Sequence, residues 1–397
     1  MKLSSRVGLI KPSATMAVAE RASVLRAQGV DLIDFGAGEP DFDTPASIKD
    51  AATEAMRRGA TKYTAVGGTD ALKNAIITKL QRDNGLVYEK REVLASCGGK
   101  HSLFVAFQVL FDPGDEVIVQ APYWVSYPDM LLLAGAQARL VRTTAESGFK
   151  LSPEALEAAI TERTRAVIIN SPSNPTGAAY AAEELRPLLD IVARHDLIVI
   201  SDDVYEMMVY GNFRRAHVLQ LRPDLRERTL VVNSVSKTYA MTGWRIGYTA
   251  GPAHVIKAMS TLQSQMTSNP SSVAQAAAVQ ALSGPQDAVA HMMREFGRRA
   301  EFVVERLRAI PQIVCPKPEG AFYVFPNVAA YLNRAVEGRS LATGDDLAAY
   351  LIDSAHVAVV GGTDFGYPEH IRISYANSME NLERGLDRID AALRKLA

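Results

Sequence analysis

Short runs of consecutive apolar residues, rich in Val and Ile, recur through the middle of the chain at 116–120, 166–170, 197–201, 229–233 and 246–250. Strands that are apolar at successive positions, rather than at alternate ones, are buried on both faces, as in a largely parallel sheet. Stretches with helical spacing separate them. Residues 182–195 place Leu185, Leu188, Leu189 and Val192 on one face, and a second helix is expected at 101–110. The alternation predicts an α/β fold with helices on both sides of the sheet. Toward the C-terminus the pattern changes. A long helix is expected at 287–309, with Met292, Phe296, Ala300, Val303 and Leu307 in one stripe, followed by short strands at 321–325, 357–360 and 370–374. A last helix opens with Ser378 as N-cap and buries Leu382, Leu386, Ile389 and Leu393. Fewer strands among more helices predict a smaller α+β domain. No strong pattern precedes 32–35, so the expected organisation is an N-terminal segment, 1–45, packing with the small domain. A large domain, 46–290, and a small C-terminal domain, 291–397, complete the expectation.

A chain of 397 residues has room for two such cores. Acidic and basic residues nearly cancel, leaving a formal charge of -1 and no field to attract nucleic acid or an anionic membrane. The partner expected is a small molecule held by local charges. The two cysteines, Cys97 and Cys315, have no metal-type spacing, so no metal is expected and a reducing compartment is the simpler reading. Residues 1–15 lack the apolar core of a signal peptide, and the longest apolar runs, such as 130–136, are too short to span a bilayer. A cytoplasmic location is the expectation.

Candidate chemistry clusters after the strands. Ser234-Val235-Ser236-Lys237 follows one of them, with Gly243-Trp244-Arg245-Ile246-Gly247 shortly beyond. A lysine desolvated in a cleft has a lowered pKa and becomes nucleophilic toward an aldehyde, while two hydroxyls and an arginine suit a phosphate. A solvated lysine at a strand end is the plainer alternative for any lone lysine. Asp202 ends the run at 197–201, with Tyr205 close behind. A carboxylate there suits a protonated ring nitrogen, or simply caps a turn. Asn170-Ser171-Pro172-Ser173-Asn174-Pro175-Thr176-Gly177 is a stiff loop that presents Asn174, or a tight turn without a ligand. Gly98-Gly99-Lys100 leads into a helix whose N-terminus suits an anion, though it is neither a P-loop nor a dinucleotide fingerprint. Trp124 is placed to stack on a flat ring or to fill a core. Arg372, between two isoleucines, needs a partner if buried: a substrate carboxylate or an internal salt bridge.

Together these residues resemble fold-type I, class I aminotransferases, over about residues 11–377. The runs Lys11-Pro12-Ser13-Ala14-Thr15, Ala37-Gly38-Glu39-Pro40-Asp41-Phe42, Ala121-Pro122-Tyr123-Trp124-Val125-Ser126-Tyr127 and Met241-Thr242-Gly243-Trp244-Arg245 are similar to the bacterial branch of aspartate aminotransferases, some of which also use prephenate. The resemblance implies a mostly parallel, seven-stranded sheet between helices and a smaller α+β domain, with pyridoxal 5'-phosphate as cofactor. It implies that Lys237 carries the cofactor and moves the proton, and that Asp202 pairs with the ring nitrogen. Asn174 and Tyr205 would contact the ring oxygen, and Trp124 would stack on the ring. Gly99, Lys100, Ser234, Ser236 and Arg245 would form the phosphate cup. Tyr63 would reach the phosphate of a neighbouring subunit, in a homodimer with shared active sites. Gly38 and Arg372 would hold the substrate α-carboxylate, with Trp124 and Asn174 alongside. No arginine in 263–275 matches the one that binds the distal carboxylate in better-known relatives, so Lys100 takes that expectation, with Ser13 and Thr15 nearby. Lys11 occupies the position linked to prephenate use. The implied reaction runs from L-aspartate to 2-oxoglutarate, with aromatic, alanine or methionine specificity as the alternative.

Overall fold

A computed structural model describes residues 1–10, 14–336 and 339–396. Its strands, in chain order, are β1 (Ile33–Asp34), β2 (Val93–Ser96), β3 (Glu116–Ala121), β4 (Gln137–Arg142), β5 (Thr164–Asn170), β6 (Ile198–Asp202), β7 (Thr229–Ser234) and β8 (Gly247–Ala250). The C-terminal part adds β9 (Tyr323–Val324), β10 (Arg334–Val336), β11 (Arg339–Leu341), β12 (Val357–Ala358), β13 (Val360–Gly361) and β14 (Ile371–Ser374). Seven of them form one sheet in the order β2-β8-β7-β6-β5-β3-β4. Only β8 runs against its neighbours β2 and β7. The mostly parallel sheet of the large domain is therefore as the sequence predicts.

Both faces of this sheet are buried, and successive residues of one strand enter different cores. Val167 and Ile169 of β5, with Val199 and Val231, pack beneath helices Asp70–Asn84, Ala182–Arg194 and Ser272–Ser283. Ala166 and Ile168, with Ile200, Leu230 and Val232, face helices Gly99–Leu110, Ser126–Leu133 and Ala253–Ser264. Apolar side chains on both faces explain the unbroken Val/Ile runs. Two strands escaped the pattern. β2 has only four residues, and edge strand β4 has no buried residue.

The smaller α+β domain has a three-stranded antiparallel sheet, β13-β14-β9, with helices Asp287–Arg308, Gly344–Ser354 and Met379–Arg394. The five apolar positions of the first of these helices and the four of the last are buried as expected. Ser378 caps the last helix by accepting a hydrogen bond from the Asn381 amide. The N-terminal segment reaches the same body: β1 pairs with β12, and helix Ala14–Ala27 packs there through Val18, Ala22 and Leu25. Among the described residues no helix is long and apolar enough to cross a membrane.

What positions the site is the register. Asn170 pairs with Asp202, Asp202 with Val232, and Ser234 with Gly247, so the carboxyl ends of β5, β6 and β7 lie side by side. The end of β2, Ser96, also pairs with Gly247. This brings the Gly98–Gly99 turn against β8. A Cβ on Gly247 would lie 2.4 Å from the Gly98 carbonyl carbon and from the Gly99 amide nitrogen. Gly247→Ala is expected to destabilise the protein by about 1–3 kcal/mol, because backbone rather than a flexible side chain has to move. Gly243→Ala, where a Cβ would meet nothing within 4 Å, should change stability by less than about 1 kcal/mol. Thermal unfolding of the two variants checks this; equal melting temperatures would contradict it.

Candidate active site

The carboxyl edge of the sheet gathers polar groups that the two cores exclude. Asp202, the last residue of β6, is 4% exposed. The Tyr127 hydroxyl donates to its Oδ2 at 2.6 Å and the Val204 amide to Oδ1 at 3.3 Å. Among the described residues no Lys, Arg or His pairs with this carboxylate. Burial therefore pushes its pKa up to about 6, against the two hydrogen bonds that act downward.

Lys237 lies in the turn after β7, and its Nζ donates to the Gly38 carbonyl oxygen. Burial lowers this amine to about 8; Glu39 acts upward, while Arg372, Arg245 and Lys100 add to the lowering. A solvated lysine, the plainer reading, does not fit this setting. Arg245 closes the 3-10 turn Thr242–Trp244 in a left-handed conformation, φ 56°, that is uncommon for a residue other than glycine. Its guanidinium crosses the glycine turn so closely that a Cβ on Gly98 would lie 2.5 Å from Nη2. The Ser234 side chain lies against Gly99, where a Cβ would meet it at 3.5 Å, and Ser234 Oγ accepts from the Ser236 amide at 3.3 Å. Gly99 and Lys100 open the helix Gly99–Leu110, so amides, hydroxyls and a guanidinium converge on one corner, as an anion requires.

Arg372 comes from β14 of the smaller domain and is 2% exposed. Nη1 donates to Asn174 Oδ1 at 3.0 Å and Nη2 to the Gly36 carbonyl at 2.8 Å, while Nε has no partner among the described residues. No carboxylate of the described residues pairs with it, so the internal salt bridge weighed as an alternative is not what it makes. Trp124 meets Tyr127 edge-on at 5.3 Å, and Lys100, an exposed side chain, stands 5.0 Å from the Trp124 ring centroid. Lys100 is lowered by partial desolvation of its amine among neighbouring groups and by the nearby Arg245 cation. Tyr205 is buried, with its hydroxyl 3.0 Å from that of Tyr323. Tyr63 is 90% exposed on the surface. Lys11 and Ser13 lie outside the described residues; for Thr15 only its place in helix Ala14–Ala27 is described.

The family model for class I and II aminotransferases matches residues 30–389. This chain belongs to that family. The aminotransferase is 49% identical to the aspartate aminotransferase of Geobacillus stearothermophilus, over 98% of each chain. It is 50% identical to the aspartate/prephenate aminotransferase of Cereibacter sphaeroides, again over 98% of each. The crystal structure of the aspartate aminotransferase from Rhizobium meliloti superposes with a TM-score of 0.95, at 49% identity and full coverage of both chains. Membership makes the chain a pyridoxal-phosphate-dependent enzyme and implies that cofactor. The residues fit the group: a buried carboxylate lacking a cation suits a protonated ring nitrogen, and a desolvated amine suits an aldehyde. The cradle at Gly98, Gly99, Ser234 and Arg245 suits a phosphate.

Behind the edge the aminotransferase carries a buried charged network that its sequence did not disclose. Glu206 pairs with Lys79 and, at 3.0 Å, with Arg215; Asn84 and Asn233 also donate to it. Asp203 accepts from Arg215 at 3.3 Å and lies 2.9 Å from His217 Nε2. Burial acts upward on Glu206, but Lys79 and Arg215 hold its carboxyl low. Asp203, Glu206 and Asn233 are the sequence neighbours of Asp202, Tyr205 and Ser234, so the network holds the backbone from which those side chains project. Tyr127 and Tyr323 were also missed, being indistinguishable in the sequence from core tyrosines.

Asp202 gives a pH prediction. Its folded-state pKa of about 6 lies above the ordinary 3.8. Its charge therefore costs no stability at pH values below both, and the cost grows as pH rises through that window. In the cofactor-free aminotransferase, Asp202→Asn should raise stability at pH 7 by about 2 kcal/mol, with the gain fading toward pH 4. Denaturant unfolding at several pH values checks this; a variant less stable than wild type at pH 7 would contradict it.

Proposed function

We propose that this protein transfers the amino group of L-aspartate to 2-oxoglutarate, giving oxaloacetate and L-glutamate by a ping-pong mechanism. The observation that carries the reading is the desolvated Lys237 amine, set among Arg372, Arg245 and Lys100 at the carboxyl edge of the sheet. Bound pyridoxal phosphate supplies an aldehyde that exchanges amino groups and a ring that takes up an electron pair. Lys237 is the residue that attaches it. With a pKa near 8 its Nζ is neutral often enough to take the α-proton of the amino acid and return it one atom away. Asp202 holds the ring nitrogen protonated, because its buried carboxylate gains a cation there. Asn174 and Tyr205 would hydrogen-bond the ring oxygen, and Trp124 would stack on the ring. Gly99, Lys100, Ser234, Ser236 and Arg245 would hold the phosphate.

Arg372 receives the substrate α-carboxylate with Gly38. A buried guanidinium with an unpartnered Nε and no carboxylate of its own is suited to grip one from outside. Lys100 is our choice for the distal carboxylate, with Ser13 and Thr15 nearby. Tyr63, exposed in one subunit, reaches the phosphate of the other in a homodimer. A groove of about 1060 Å³ opens beside Arg245 and Glu39 and gives such a side chain a way in.

A second acceptor, prephenate, giving arogenate, is favoured by the name of the Cereibacter sphaeroides relative. Lys11 is the residue proposed for it.

Single-turnover spectra test the substrate. Aspartate and glutamate should bleach the visible band fast, with phenylalanine and alanine slow, and prephenate should restore the band of the amine form. Fast bleaching by alanine or phenylalanine alone would overturn the dicarboxylate reading. Arg372→Leu should lower kcat/KM for amino acid and keto acid together, by at least about a hundredfold. Weakened cofactor binding with unchanged substrate affinity would contradict the role given to Arg372.

A further inference from the structure

Tyr323 has no part in the roles assigned above, yet it lies between two of them. Its side chain is fully buried and its hydroxyl is 3.0 Å from that of Tyr205. The Arg372 guanidinium stands 4.6 Å from the Tyr323 ring centroid, and a Cβ on Gly38 would lie 3.5 Å from the Tyr323 hydroxyl. The ring thus separates the carboxylate seat, at Gly38 and Arg372, from the phenol that faces the cofactor.

Backbone packing fixes it there. Tyr323 pairs with Ser374 of β14, two residues beyond Arg372. A Cβ on Gly177 would approach the Tyr323 carbonyl oxygen to 3.0 Å, and one on Gly320 would approach the Met208 carbonyl oxygen to 2.2 Å. The segment carrying Tyr323 is therefore pressed onto the loop that carries Asn174 and onto the turn after Tyr205.

We propose that Tyr323 is a positioning residue: its hydroxyl donates to the Tyr205 oxygen and so keeps the Tyr205 proton directed at the ring oxygen of the bound cofactor. The inference rests on the place given to Tyr205 in the proposed function. A phenol that accepts a hydrogen bond becomes a stronger donor in turn. Of the two phenols Tyr323 is the better donor. Burial raises both, Tyr205 well above its ordinary value with the Asp202 charge adding to the rise, and the Arg372 cation acts downward on each.

The test is a pH titration of the visible band of the resting holoenzyme, read without turnover, for wild type, Tyr323→Phe, Tyr205→Phe and the double variant. A donor to the ring oxygen favours its negative form. Tyr323→Phe is therefore expected to move the midpoint upward by on the order of half a pH unit, and Tyr205→Phe further. The double variant should titrate like Tyr205→Phe alone, since Tyr323 acts through Tyr205. A Tyr323→Phe midpoint equal to wild type overturns the proposal, as does its full shift added on the Tyr205→Phe background. A merely structural role would lower the melting temperature and leave the midpoint in place. If Tyr205→Phe itself leaves the midpoint unmoved, it is the placement of Tyr205 that fails.

Discussion

The Asp202 carboxylate lies at the end of β6 with a phenol and a backbone amide as partners, and among the described residues no cation neutralises it. Close by on the same sheet edge, the Lys237 amine is desolvated and surrounded mostly by other cations. A buried charge without its complement is unfavourable, and a chain that keeps two such groups is arranged around something it does not itself supply. The rest of the architecture serves that condition. A sheet covered on both faces leaves its carboxyl edge as the place for polar chemistry, and parallel strands in register set Asn170, Asp202 and Val232 abreast, with Ser234 two residues beyond.

Placement and charge are held by separate means. Glycines at 98, 99 and 247 let backbone approach backbone where a phosphate cradle is wanted. The Glu206 and Asp203 network is internally neutralised by Lys79 and Arg215, unlike Asp202 on the other side of the same backbone. One set of buried charges therefore holds the frame, and the other is left open for ligands. The smaller domain adds Arg372 and Tyr323 from adjacent strands, so the substrate end of the site is assembled across two parts of the chain.

Much of this was legible in the sequence. Lys237, Asp202, Asn174, Arg245 and Arg372 stand at strand ends or in short motifs, where an unusual residue type betrays itself against an apolar run. The central strands declared themselves because burial on two faces demands consecutive Val and Ile. β4 did not, since an edge strand with no fully buried position carries a weaker signal. Tyr127 and Tyr323 were hidden for a different reason. Their meaning lies in partners 75 and 118 residues away, Asp202 and Tyr205, and no local pattern records such a pairing. The Glu206 network was equally silent, because its members are spread from Lys79 to Asn233 and no local pattern joins them.

The central claim is that one amine, Lys237, bonds covalently to the aldehyde. Borohydride reduction of the purified holoenzyme followed by peptide mapping tests it most directly. The account predicts loss of the visible band and a cofactor-modified peptide containing Lys237. A modified peptide centred on any other lysine, or an unmodified Lys237 after complete reduction, would contradict it.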